Sequence, residues 1–335
     1  MICSCPMTDI KANASATSTP PLYASLGSLI IDDIVYQNGT EERNVLGGAG
    51  IYAIYGMRVW LNPPESEKIG YIAQEGYDHP PAVADQLEKL DITLRRQQHA
   101  DLHTTRGLNT FGPNDHRDFE YIHPIIRLTA QDPPDDWVHS LRVMHIICSP
   151  ERAIEIVTEW RERGGSSTAF IWEPVPWSCL SERYEMVCKA AKLVDVLTPN
   201  HEEAAAMLGN STLDPETCAQ RLYYATQTNI VIRAGKQGAV VVTDNVLEWV
   251  PAYWKEQDSD KIQDVTGAGN AFCGGMCIGW VASNGNAVIA ARYGAISASY
   301  IVEQVGLPTY ERDNYEWNQG PCAQERLSSL LLLKN

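Results

Sequence analysis

The feature that most constrains this chain is an alternation of strand-like and helix-like segments that runs over most of its length. Strand-like stretches fall at 22–31, 69–73, 142–149, 168–174, 193–200, 229–235 and 239–244. Helix-like stretches fall between and after them, at 48–60, 82–90, 182–192, 201–208, 268–282 and 286–303, with one more opening at Pro150. In that one Ser149 can cap, Pro150 suits the first helical position, and Ala153, Val157 and Trp160 share a face. Strands alternating with helices imply a mostly parallel, doubly wound sheet covered on both faces.

Two stretches break the rhythm. Residues 92–128 hold short β-like pieces (ITLRR, HTTRGLNTF, RDFEYI) between polar turns, and residues 33–45 read the same way. Together they predict a small β lid set apart from the main layer. Residues 1–21, rich in Ala, Ser and Thr and closed by Pro20-Pro21, read as a flexible tail. The expected division is a tail over 1–21, one α/β domain over 22–310 and a C-terminal extension over 311–335.

Charge narrows the partners. With 42 acidic against 26 basic residues the formal net charge is −16, and no basic run interrupts it. Such a surface repels nucleic acid and anionic membrane, so a small-molecule ligand is expected, and a phosphate would need backbone amides or a few placed cations. The nine cysteines are odd in number and irregularly spaced, and the first 21 residues hold no apolar core of a secretory signal. Reduced thiols and a cytoplasmic setting are the expectation.

The most informative segment is Asp264-Val-Thr-Gly-Ala-Gly-Asn270 ahead of a long helical run. Small residues let an anion approach the backbone, and a helix start offers unpaired N–H groups and a positive dipole end. A tight turn that merely starts a helix reads the same way. A dinucleotide fingerprint would want a third Gly where Phe272 stands, and no Gly-Lys-Ser/Thr follows to make a Walker loop.

This segment resembles the C-terminal signature of the pfkB, or ribokinase-like, kinases, D-T-x-G-A-G-D. Other stretches match in order and separation over 22–308: Gly47-Gly48 opening a helix, Asp32 after Gly27, Asn200-His-Glu-Glu203, and Arg233-Ala-Gly235-Lys-Gln-Gly238. The wording of GGAGIYA, WEPVPW and PNHEEAA is similar to a fungal branch of that family. The resemblance implies a ribokinase-like fold and an ATP- and Mg2+-dependent sugar or nucleoside kinase. By the same resemblance Gly267, Ala268 and Gly269 hold the transferred phosphate. Asn200 and Glu203 order phosphates and magnesium, and Arg233, Gly235 and Gly238 lie near the nucleotide. Asp32, Gly47, Gly48 and Tyr52 face the substrate. Asp264 and Thr266 resemble positions near a monovalent cation in some relatives, and related lids form homodimers.

Three positions depart from the pattern. Residue 270 is Asn where the family carries its general base, an Asp. A neutral amide cannot accept a hydroxyl proton at useful pH. Either another carboxylate (Asp32, Asp33 or Glu173) serves, or the acceptor is already ionised, or the pocket is reused by a non-kinase enzyme or a pseudokinase binding module. Tyr52 replaces an Asn that meets substrate hydroxyls, and Arg233 stands where Thr is common. Arg233 can clamp phosphate or form a structural ion pair. Cys273 and Cys277, four apart on one helix, read as packing, and His103 and His116 as exposed lid residues. The Trp172–Trp177 stretch fits a cleft wall or the core equally well.

Overall fold

The computed structural model describes residues 20–111 and 117–332. The tail expectation, Cys3, Cys5 and His116 therefore lie outside the described residues, apart from Pro20 and Pro21. Pro21 is buried, and its carbonyl accepts a hydrogen bond from Ser140 at 2.7 Å.

Strands in chain order are β1 (Tyr23–Ser25), β2 (Ile30–Val35), β3 (Glu41–Gly47), β4 (Ile69–Gly76), β5 (Thr93–His99), β6 (Arg106–Phe111), β7 (Arg117–Tyr121), β8 (Val143–Cys148), β9 (Ala169–Pro174), β10 (Val196–Leu197), β11 (Asn229–Arg233), β12 (Ala239–Val242), β13 (Leu247–Val250), β14 (Tyr310–Glu311) and β15 (Glu316–Trp317). Helices are α1 (Ala49–Arg58), α2 (Pro81–Glu88), α3 (Asp135–Ser140), α4 (Pro150–Glu162), α5 (Tyr184–Ala191), α6 (His201–Met207), α7 (Pro215–Thr226), α8 (Ala268–Ala282), α9 (Ala287–Ile301) and α10 (Ala323–Leu332).

Nine strands form the main sheet in the order β13-β12-β11-β10-β9-β8-β1-β4-β5. All neighbours from β11 to β5 run parallel; β12 and β13 return antiparallel. Strand periodicity sorts side chains to two faces. Val143, Ile171, Val231 and Val241 pack into one core with α1, α8 and α9. Met144, Phe170, Trp172, Ile230 and Ile232 pack into the other with residues of α4, α5, α6 and α7. The expected doubly wound, mostly parallel α/β architecture is thus present, and Trp172 belongs to the core.

A second, four-stranded sheet has the order β3-β2-β6-β7. It gathers part of the stretches expected to form a lid, with two corrections. The ITLRR piece lies in β5, which pairs with β4 at the edge of the main sheet. The single strand expected over 22–31 is two strands in two sheets, broken at Gly27. There the chain meets α1 so closely that a Cβ on Gly27 would lie 2.5 Å from the Gly50 nitrogen. Helix α7 went unread, although Asp214 caps it and Pro215 opens it. Ser149 does stand at the start of α4, but its side chain makes no capping hydrogen bond. After α9, Trp317, Ala323 and Leu330 join the first core. Among the described residues no helix is long and apolar enough to cross a membrane.

Candidate functional site

Parallel strands deliver their C-terminal ends to one edge of a sheet, where open α/β folds hold ligands. Here that edge carries polar side chains in register positions that otherwise face the core. Tyr23, Val143, Ile171 and Val231 face α1, α8 and α9. Two residues on, the same face holds Ser25, His145, Glu173 and Arg233, from β1, β8, β9 and β11.

These side chains connect. Gly27 donates its N–H to Ser25 Oγ (3.0 Å), and Ser25 Oγ lies 2.9 Å from His145 Nδ1. With the Ser25 hydroxyl donating to Nδ1, the imidazole proton sits on Nε2, 3.4 Å from Glu173 Oε2. The other Glu173 oxygen pairs with Arg233 at 2.8 Å, and Arg233 also donates to the Thr198 carbonyl at 3.1 Å. Burial pushes the Glu173 carboxyl up, but Arg233, His145 and Asn270 more than offset it and hold it at about 2. Burial works against the charge of Arg233 as well, and Glu173 more than restores it.

The Asp264–Asn270 segment meets this row from above. Gly267 takes a left-handed φ of 79° at the start of α8, and a Cβ there would lie 2.2 Å from the Tyr52 ring. Gly269 is crowded in a different way: its Cβ would lie 2.0 Å from Arg233 Nη1, at the end of the arginine side chain. Asn270 donates Nδ2 to Glu173 Oε2 at 2.8 Å. A carboxylate only accepts, so this contact fixes the amide with nitrogen toward Glu173 and oxygen outward. Cys273, one turn along α8, lies within 4.8 Å of both His145 and Glu173, and burial raises its thiol far above the usual range.

Asn200 and Glu203 are brought together as a capping box of α6. The Glu203 N–H donates to Asn200 Oδ1 (2.8 Å) and the Asn200 N–H to Glu203 Oε2 (2.7 Å). Arg233 stands 3.7 Å from Glu203, whose carboxyl burial raises. Gly235 and Gly238, at φ 54° and 99°, form the turn between β11 and β12. Asn200, Arg233, Gly235, Gly238, Ala268 and Gly269 all line one cleft of about 320 Å³, closed by Tyr253, Trp254, Phe272 and Val302.

Asp32 and Gly47 are neighbours on the other side: a Cβ on Gly47 would lie 2.2 Å from Asp32 Oδ2, and Asn109 donates to Oδ1 at 3.0 Å. Gly48 follows at φ 98° and starts α1, which places Tyr52 against Gly267. Asp33, one residue on, projects from the opposite face of β2 into Arg106 (2.9 Å) and Arg43 (3.1 Å). Strand alternation thus removes Asp33 from the candidate bases. Asp264 accepts from the Thr266 N–H at 2.9 Å, a turn contact. His103 contacts Asp78 (2.9 Å) and stacks on His123. Sequence reasoning missed Ser25 and His145, while its reading of Cys273 and Cys277 as packing holds: both are fully buried in the first core. The signal was there: a polar residue on the buried register at a strand end.

A comparison with family models matches residues 24–312 to the pfkB family carbohydrate kinase model. An uncharacterised protein of Schizosaccharomyces pombe is 29% identical over 318 residues, covering 87% of each chain. Ribokinase from Giardia lamblia superposes with a TM-score of 0.71 at 16% identity, over 95% of this chain and 100% of that one. An Escherichia coli protein assigned as a ribokinase II, in complex with ATP and Mg2+, gives 0.68 at 17% identity over 93% and 99%.

Proposed function

The chain belongs to the pfkB family of carbohydrate kinases, and from that premise we propose that it is an ATP- and Mg2+-dependent small-molecule kinase whose transfer step is weakened at residue 270. The observation that carries the reading is the juxtaposition of the Gly267–Gly269 turn with the 320 Å³ cleft. One wall is aromatic and apolar, fit for a base; the other is glycine and arginine, fit for phosphates. The E. coli relative in complex with ATP and Mg2+ supports that choice of ligand.

The residues fit the group. Side-chain absence at Gly269 keeps the amides at the start of α8 open, and Thr198 Oγ1 and Arg233 Nε are buried beside the cleft without a hydrogen-bond partner. ATP, when bound, supplies the transferring phosphoryl group. The amides of Gly267, Ala268 and Gly269 would hold developing charge on it. Asn200 and Glu203 would order magnesium, which needs only one or two carboxylates beside phosphates. Arg233, Gly235 and Gly238 would face the nucleotide phosphates. Asp32, Gly47, Gly48 and Tyr52 would position the acceptor under the small sheet.

No strong base stands at residue 270, because the Asn270 oxygen can accept a hydroxyl's hydrogen bond but not its proton. Glu173 does not replace it: an ion-paired carboxyl at about 2 is a poor base near neutrality. Loss of a general base costs roughly 10²–10⁴ in rate. The same Asn270–Glu173 hydrogen bond favours a second reading, a nucleotide-binding pseudokinase. ADP formation over a panel of sugars, nucleosides and their phosphorylated forms separates the two. Slow, acceptor-dependent ADP release supports the kinase; saturable ATP binding with no ADP above the acceptor-free rate supports the pseudokinase.

A further inference from the structure

A second cavity, of about 240 Å³, opens at the acceptor side of the same sheet edge. It begins at Ala49, directly after Gly48, and at Ile30, which shares a strand face with Asp32. From there it runs past Tyr121 to the ends of β8 and β9 and the start of α4. Among the described residues its wall holds two arginines, Arg127 and Arg152, and no carboxylate. In a chain of 42 acidic and 26 basic residues, that is the reverse of the surface average.

The two cations are not consumed by structure. Arg152 is half-buried and uses one nitrogen on the Leu128 carbonyl at 2.9 Å; it makes no ion pair among the described residues. Arg127 is exposed at the mouth and makes no ion pair or hydrogen bond among the described residues. Glu151, the acidic residue in the first turn of α4, is turned away into an ion pair with Arg183. A neutral sugar or nucleoside has nothing to offer two guanidinium groups, whereas a phosphate ester or carboxylate forms charge-assisted, often bidentate bonds with each.

We propose that the acceptor is an anionic small molecule, a phosphate ester or a carboxylate, held by Arg127 and Arg152 with its reacting group toward Asp32 and the Gly47-Gly48 turn. This deepens the kinase reading and rests on it for the word acceptor, but the anion site itself does not depend on phosphoryl transfer.

The test is a matched pair of probes, ribose 5-phosphate and ribose, measured by thermal shift and calorimetry on the full chain. Wild type, Arg127→Met, Arg152→Met and Gly269→Glu are compared, with ATP titrated separately into each. The expected result is that ribose 5-phosphate binds about ten-fold or more tightly than ribose. That preference falls by a similar factor in each arginine variant, survives Gly269→Glu, and leaves ATP binding to the arginine variants unchanged. Arg127→Met removes no hydrogen bond, so it reports on the site even if Arg152→Met loosens the fold. Equal binding of the two probes, no binding of either, or a preference that survives both arginine variants overturns the proposal. Loss of the preference in Gly269→Glu alone would also overturn it, by moving the anion to the α8 turn. Absence of ATP binding with the preference intact would sink the kinase reading and leave the anion site standing.

Discussion

The two cavities share one sheet edge but are built on different principles. The larger is made of backbone and rings: left-handed or crowded glycines at 235, 238 and 269 and the aromatic wall of Tyr253, Trp254 and Phe272. The smaller has only side chains to select with, and the two that carry charge are arginines from a loop and from the first turn of a helix. A cavity shaped by backbone tolerates little change and leaves a glycine signature. One shaped by side chains can be retuned without touching the fold. The difference matches the proposed division, a nucleotide half held by backbone and an acceptor half selected by side chains.

Between them runs the buried row Arg233, Glu173, His145 and Ser25, with Asn270 hydrogen-bonded to its centre. It yields the sharpest way to break the comparison. In the double variant Asn270→Asp, Glu173→Gln the amide and the carboxylate exchange places, so the hydrogen bond survives and the charge sits where a base is needed. ADP formation with a phosphorylated acceptor is expected to rise by roughly 10²–10⁴ over wild type. Asn270→Asp alone sets two carboxylates at hydrogen-bond distance, so its recovery should be smaller and the acidic limb of its pH–rate profile shifted upward. No gain in either variant would mean that the row is structural and the acceptor half is no longer a kinase site.

A smaller effect is expected from Glu173→Gln alone. It strips the buried Arg233 of its ion-pair partner, with a cost of about 3–5 kcal/mol in chemical denaturation at neutral pH. The sign with pH follows from the depressed carboxyl. Its contribution is complete above the ordinary value of 4.5 and is lost as pH falls toward about 2. Wild type should therefore lose stability on acidification through that window more steeply than the variant. Parallel acid limbs would show that Glu173 carries no such linkage.

The mildest change is Asn200→Ala, which removes one half of the α6 capping box and should cost about 1 kcal/mol in stability. If Asn200 also orders phosphates, ATP affinity falls along with it. Unchanged affinity would leave Asn200 a cap alone and shift the metal assignment entirely to Glu203.

Legibility in the sequence follows the same division. Helix α8 was readable to its ends because Gly267 forces a left-handed start and the helix body is apolar. The main sheet was readable because β8, β9, β11 and β12 are bounded apolar runs. What escaped was long-range. β5 carries exposed Arg and Gln, so its polar sequence reads as lid although its backbone pairs with β4. Gly27 divides one apolar run between two sheets, which only the approach of α1 reveals. His145 and Ser25 lie 120 positions apart and meet only because β1 and β8 are neighbours. Arg127 and Arg152 carry no local motif at all. The α7 helix is a different case, since Asp214-Pro215 was a readable start.

The central claim is that the nucleotide half is intact. It is tested most directly by calorimetry of ATP with and without Mg2+ on wild type and on Gly269→Glu, which adds a negatively charged side chain where a Cβ alone would lie 2.0 Å from Arg233 Nη1. Magnesium-enhanced binding with a micromolar Kd in wild type, abolished in a variant that remains folded by circular dichroism, is the predicted result. Absence of binding in wild type, or binding unaffected by Gly269→Glu, would contradict it.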